Sequence, residues 1–261
     1  MSQKILGFAG RKQSGKNTCA NLIIGLEMMS LGLTSGFKIT PEGKLWVSDI
    51  LGDNVDNCGI FDVFSESIVM KEFLKAKLDP FVKVYSFADL LKRNVCMEIF
   101  GLTSEQCYGT DEQKNSDTDI AWGDIPTPNT QLQAKKLTAR EVMQYVGTDF
   151  FRAINPNIWV DATIRKIKEE GSYMPIICDC RFPNEVSGIQ DAGGKVIKLT
   201  RGEGSGDSHS SETALDKQQY DWSNFDCIID NKQIALAEQN KLLYEALVNF
   251  GWADMSVLQE D

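Results

Sequence analysis

The stretch KILGFAGRKQSGKNT, Lys4 to Thr18, decides the fold. Lys4 to Ala9 is a short apolar run of strand character, Gly10 and Gly15 bracket a polar loop, and from Lys16 onward Ala20, Ile23, Ile24 and Leu31 recur at near-helical spacing. Strand, glycine loop and helix in that order suit a phosphate-binding loop, where consecutive backbone N–H groups and a helix N-terminus point at one anion. The pattern G-x-x-x-x-G-K-[ST] is met at Gly10, Gly15 and Lys16, with Lys12 and Ser14 inside the loop. Asn17 stands where a hydroxyl is expected, and Thr18 follows one position late. Lys16 supplies a full charge for β/γ-phosphates. Asn17 offers an amide oxygen to a metal in place of the hydroxyl, or Thr18 reaches a phosphate from the next position. The departure weakens the metal assignment and leaves the phosphate assignment standing; the plain alternative is a glycine turn before a helix, with no ligand.

Outward from this stretch the alternation continues. Strand candidates are Lys83–Ala88, Met174–Cys180, Lys195–Thr200 and Asp226–Asp230, and helical patterns cover Asp89–Phe100, Ala139–Val146, Trp159–Glu170, Pro183–Ala192 and Ile234–Phe250. This predicts an α/β fold, a parallel sheet flanked by helices, with ligands at the carboxyl ends of the strands. Two segments interrupt it. Gly32–Leu78 reads as an insertion whose first half is hairpin-like, and Tyr108–Leu137, polar with Pro126 and Pro128, reads as a long loop.

Composition narrows the function. The 261 residues carry a formal net charge of −10, which argues against a protein that neutralises DNA or RNA phosphates and makes a DNA-acting ATPase a poor reading. There is no run of 18 or more apolar residues and no charged start followed by a long apolar segment, so no membrane association and a cytoplasmic location are expected. Seven cysteines without C-x-x-C pairs fit a reducing compartment, and the single histidine, His209, leaves a zinc site short of ligands.

Several cations follow strands. Asp89 can cap a helix presenting Lys92 and Arg93, which either grip a second phosphate or lie on a solvated face. Thr138 and Glu141 form a capping box, placing Arg140 in a first turn where a cation opposes the helix dipole. Arg140 is therefore neutralised by nearby acids or kept for an anionic ligand. Asp179 and Arg181, two apart on an extended chain, share one side while Cys178 and Cys180 take the other. They form a site edge or a structural ion pair, and Glu185 follows in the next helix, which opens with Pro183. Arg201 opens a glycine-rich segment running to Glu212, either a closing lid or a plain surface loop.

Taken in order, GRKQSGKNT, SFADLLKRNVCMEIFGLT, LTAREVMQYVGTDFFR with NPNIWVD, CDCRFPNEV with GGKVIKLTR, and HSSETALD with IIDN resemble the deoxynucleoside monophosphate kinases of tailed bacteriophages. The matches run from Gly7 to about Asn231. The resemblance implies a single P-loop kinase domain of the nucleoside monophosphate kinase type over residues 1–261. Within it would lie an insertion at about 32–78, an acceptor-binding region at about 89–160 and a mobile lid at about 201–216. It implies transfer of the γ-phosphoryl of ATP, with Mg²⁺, to a deoxynucleoside 5′-monophosphate, in a monomer or homodimer whose partners are small nucleotides.

It assigns Gly10, Lys12, Ser14, Gly15, Lys16, Asn17 and Thr18 to the ATP phosphates and Asn231 to the border of adenine. Phe87, Lys92, Arg93, Trp159, Asp179, Arg181 and Glu185 go to the acceptor, Asn17 and Asp179 to the metal, and Lys16, Arg140, Asp179, Arg181 and Arg201 to catalysis. Family members tend to lack Ser/Thr directly after the loop lysine, which would account for Asn17. Phe87 or Trp159 could stack on a base or sugar, and Trp159 or Tyr108 could exclude a 2′-hydroxyl. A phosphomevalonate kinase-like enzyme is the nearest rival, and a nucleotide-binding switch or assembly protein without useful turnover is the rival of a different class.

Overall fold

The structure, a computed structural model, describes residues 3–49, 58–65, 67–121, 135–202 and 213–253. The chain divides into two compact units, Met1–Tyr85 with Ile164–Asp261, and Ser86–Thr163.

The first unit opens with β1 (Leu6–Ala9) and α1 (Lys16–Ser30). The strands β2 (Gly36–Ile39), β3 (Leu45–Ser48) and β4 (Gly59–Ile60) then pair antiparallel, so the expected hairpin in the insertion exists and gains a third strand. After α2 (Ile68–Phe73), prolonged by a π-type turn over Leu74–Leu78, comes β5 (Val82–Tyr85).

In the second unit α3 (Phe87–Leu90) runs on through π-type turns to Met97, followed by α4 (Ser104–Tyr108), α5 (Asp111–Lys114) and β6 (Asp117–Ala121). β7 (Lys136–Thr138) pairs with β6, and α6 (Ala139–Gln144) continues through π-type turns over Tyr145–Phe151 into α7 (Arg152–Ile154). The helix α8 (Ile158–Glu170) leads back to the first unit, which ends with β8 (Met174–Cys180), α9 (Pro183–Asp191), β9 (Lys195–Leu199), β10 (Cys227–Ile229) and α10 (Leu236–Asn249).

The main sheet has the order β10-β9-β1-β8-β5, every neighbouring pair parallel. Leu6, Phe8 and Ala9 of the central strand are wholly buried, as a strand covered on both faces must be, and this is why KILGFA reads as a continuous apolar run. Gly7 lets α9 come close: a Cβ there would lie 2.5 Å from Ile189 Cδ1.

Two expectations are corrected. The strand over Lys83–Ala88 stops at Tyr85, because the Ser86 hydroxyl accepts the Ala88 N–H (3.2 Å) and caps α3, so Asp89 lies inside the first turn and is not the cap. The segment Tyr108–Leu137 is not one loop: Thr110 and Gln113 form a capping box that starts α5, and β6 follows. Residues 122–134 of that segment lie outside the described residues.

Candidate active site

Four strands of the first unit deliver residues to one sheet edge. Ala9 pairs with both Cys180 and Lys198, and Leu199 with Ile229. Gly10, Arg181, Arg201 and Asn231 therefore leave the sheet at neighbouring carboxyl ends, where a parallel α/β sheet places its ligands.

The loop after β1 has the backbone of an anion cradle. Gly15, the N-cap of α1, takes φ 99°, Gly10 takes φ 156°, and Gln13 sits in the left-handed region at φ 60°. At Gly10 a Cβ would fall 2.9 Å from the Leu199 carbonyl oxygen, so the loop hugs β9 and only glycine fits. Ser14 is wholly buried. The Lys16 amine donates to Gly10 O (2.7 Å), Arg11 O (2.6 Å) and Ser14 Oγ (3.3 Å), bridging the loop's two ends across its own mouth. Lys12 and Asn17 are exposed. Thr18 is placed differently from expectation. A Cβ on Gly43 would lie 2.2 Å from Thr18 Oγ1, so its hydroxyl lies against the turn between β2 and β3, where Asn21 Nδ2 also donates to Gly43 O (2.9 Å).

Lys16 is 8% exposed, and burial, reinforced by the Arg181 guanidinium and Lys198, pushes its pKa down to about 8, while Cys178 and Asp179 pull the other way. Asp179 and Arg181 are partly exposed and Cys178 and Cys180 buried, the alternation read from the sequence. Glu185 is not available to a substrate in the way expected: it is 2% exposed, and its carboxylate accepts the N–H groups of Arg181 (2.6 Å) and Phe182 (3.0 Å). It fixes the turn that aims Arg181, while its negative charge sits at the N-terminus of α9.

Asn231 is engaged on every side. It is wholly buried; its Nδ2 donates to Ser14 O (2.8 Å) and to Gln239 Oε1 (2.7 Å), and its Oδ1 accepts the Arg201 N–H (2.8 Å). A side chain so engaged joins the loop to the turn after β9. Arg201 Nε donates to Asn231 O (3.0 Å), and a Cβ on Gly202 would lie 3.2 Å from Lys12 O, so this turn lies along the phosphate loop. The rest of the expected lid, residues 203–212 with His209, lies outside the described residues. At the far end of the expected lid Asp216 holds the buried Arg11 through both oxygens (2.5 and 3.2 Å).

The second unit holds its cations at the surface. Arg93 Nε meets Asp89 Oδ1 (3.2 Å), which also accepts the Tyr108 hydroxyl (2.6 Å), and Lys92 and Arg93 lie over the Tyr108 ring at 4.7 and 5.4 Å. Burial, joined by this bond to a carboxylate, raises the Tyr108 pKa. Arg140 donates to Asp111 Oδ1 and Asn115 Oδ1, both at 2.9 Å, so Asp111 pairs its charge in this arrangement. Phe87 (2% exposed) and Trp159 (7%) are core residues; the indole N–H is spent on Gly147 O (2.9 Å) and the ring packs on Phe151. Neither ring is open to stack on a base, which corrects that reading.

Sequence reasoning missed Asp216, Gln239 and the buried Lys198, whose amine reaches Leu215 O (3.2 Å) with Trp222 at 5.0 Å. No local pattern marks them, because each bonds to residues outside its own element. Among the described residues no group of three or more His, Cys, Asp or Glu side chains could hold a metal, and no helix is long and apolar enough to cross a membrane.

Against known proteins, the sequence model of the deoxynucleotide monophosphate kinase family matches residues 81–240. The chain belongs to this family. A protein of Acanthamoeba polyphaga mimivirus named "Putative deoxynucleotide monophosphate kinase" is 36% identical over 143 residues, covering 50% of this chain and 67% of that protein. As a member of the deoxynucleotide monophosphate kinase family the chain is a phosphotransferase, and the phosphomevalonate kinase-like and switch readings are not favoured.

Proposed function

We propose that this enzyme transfers the γ-phosphoryl of ATP to a deoxynucleoside 5′-monophosphate, with the phosphate loop as donor site. The observation that carries the reading is Lys16 with Arg181: two cations that follow neighbouring strands, β1 and β8, lie near enough for one to depress the other's pKa. Such an arrangement costs energy until an anion sits between them. An oxygen of the acceptor phosphate attacks the γ-phosphorus, the bond from that phosphorus to the β–γ bridging oxygen breaks, and ADP leaves with the electron pair. The acceptor is already an anion, so no strong base is required; alignment and charge neutralisation do the work.

Lys16 and the loop N–H groups from Gly10 to Asn17 hold the donor phosphates, Arg181 and Arg201 span the transferred group, and Asp179 orients the acceptor. In the second unit Arg93, Lys92 and Arg140 bind the acceptor side, exchanging their present carboxylate partners for phosphate. Phe87 and Trp159 support that side as core, and Glu185 holds Arg181 in place.

The oxygen donors present suit Mg²⁺. Asn17 is exposed in the first turn of α1, and Asp179 is partly exposed and near enough to Lys16 to raise its pKa, a pair of hard ligands such as this ion takes alongside phosphates and water. When bound, Mg²⁺ would neutralise charge on the β- and γ-phosphates. The giant-virus relative and the resemblance to phage enzymes support a viral setting and action in the host cytoplasm, on small nucleotides and not on nucleic acid.

Initial rates with ATP and acceptor varied in turn test the division of labour. Lys16→Ala is expected to impair the donor side and turnover, and Arg181→Ala mainly the acceptor side; an Arg181→Ala enzyme altered only in ATP affinity would overturn the acceptor assignment.

A further inference from the structure

We infer that Asn231 is a positioning residue that couples the phosphate loop to Arg201. The inference rests on the donor-site reading of Gly10–Thr18 and goes beyond it, because Asn231 is buried and acts through the two groups it holds. Its amide is fully committed: one donor to the Ser14 carbonyl, one to Gln239, and the oxygen to the Arg201 N–H. Gln239, itself 1% exposed, is fixed in turn by donating to Cys19 Sγ (3.5 Å) in α1.

The loop cannot slide away from this pair. Gly15, at φ 99°, packs against both amides, and a Cβ there would lie 3.3 Å from Gln239 Oε1 and 3.5 Å from Asn231 Nδ2. On the other side Arg201 is bound twice, through its N–H to the Asn231 side chain and through Nε to the Asn231 carbonyl. Bonds within one structural element would serve stability alone. These join three segments that meet only at the sheet edge: the loop after β1, the turn after β9 and the turn after β10. The consequence is that the loop N–H groups and the Arg201 guanidinium are aimed as one body. Where Ser14 goes, Arg201 follows.

Asparagine suits the post because it offers two donors and an acceptor from one short planar group. Alanine removes both halves of the bridge. Serine, with one hydroxyl, keeps at most part of it without adding charge near the phosphates.

The test is equilibrium binding of ATP to the full chain, with no acceptor present, for wild type, Asn231→Ala, Asn231→Ser, Arg201→Ala and the Asn231→Ala/Arg201→Ala double variant. Each of the single alanine variants is expected to weaken binding about tenfold, and the double variant about thirtyfold where independent effects would give a hundredfold. Backbone amide exchange at residues 14–16 without nucleotide should also quicken about tenfold in Asn231→Ala, with Asn231→Ser between it and wild type. A purely structural asparagine would lower the melting temperature but leave the two effects multiplicative. Wild-type failure to bind ATP overturns the donor reading and this inference with it. ATP binding by wild type together with unchanged binding in both Asn231 variants, or a fully multiplicative double variant, overturns the inference alone; Asn231→Ser supplies the answer if Asn231→Ala does not fold.

Discussion

Two sets of cations, Lys16 and Arg11 in the first unit and Arg93 and Arg140 in the second, are held in opposite ways. In the first, Lys16 is buried with its amine on backbone carbonyls, and Arg11 is buried on Asp216. In the second, Arg93 and Arg140 sit at the surface on carboxylates, with 48% and 37% of their side chains exposed. A buried cation held by backbone carbonyls keeps its geometry without a ligand, so on the proposed reading the donor site is built before ATP arrives. A cation parked on a surface carboxylate gains little from that partner, and a phosphate can displace it at low cost. On the proposed reading the donor side is preorganised and the acceptor side exchangeable.

The sharpest break of this contrast is Lys16→Ala. Removing this charge should cut turnover on the order of a thousandfold, far more than it alters folding, and steady-state rates with thermal melts check it. Near-normal turnover would remove the donor site from the account. Next, Arg181→Ala should lower kcat/KM for the acceptor roughly a hundredfold while ATP affinity moves far less, as initial-rate analysis would report.

A titration comes third. The folded pKa of Lys16, about 8, lies below its ordinary 10.5, so between these values the unfolded chain binds more protons than the folded one. Stability contributed by this group is therefore lowest below pH 8 and rises by about 3 kcal/mol toward pH 10.5. Urea melts of wild type against Lys16→Met should differ in slope with pH by that sign. The same proton governs binding: ATP affinity should fall as pH rises above about 8, and a flat profile in calorimetric titrations would place the Lys16 amine away from the phosphates.

The smallest effect sharpens the comparison from the other side. Raising salt from about 0.05 to 0.2 M should raise KM for the acceptor by a few-fold more than KM for ATP, since exposed charges are screened and buried ones less so. Equal responses would mean the two sets of cations are held alike.

The sequence makes the donor side easy to see because its signals are local. A wholly buried strand, two glycines and a lysine sit within fifteen residues, and each strand of the main sheet is an apolar run of its own. What holds that side together is invisible for the converse reason: Asp216 is 205 residues from Arg11 and Asn231 is 217 from Ser14, with no spacing rule linking them. The second unit misleads through composition. Its polar residues suggest a loop, yet the T-x-x-Q boxes at Thr103–Gln106 and Thr110–Gln113 announce two short helices and were legible. Aromatic residues misled in the reverse direction, since Phe87 and Trp159 look like base platforms and prove to be core, because apolar area is worth more inside than on display.

The most direct measurement is ATP consumption by the purified chain with Mg²⁺ against the four deoxynucleoside monophosphates, their ribonucleoside counterparts and phosphomevalonate, with products separated by chromatography. Conversion of one or more deoxynucleoside monophosphates to diphosphates, lost in Lys16→Ala, is the expected result. Binding of ATP with no acceptor phosphorylated would contradict it.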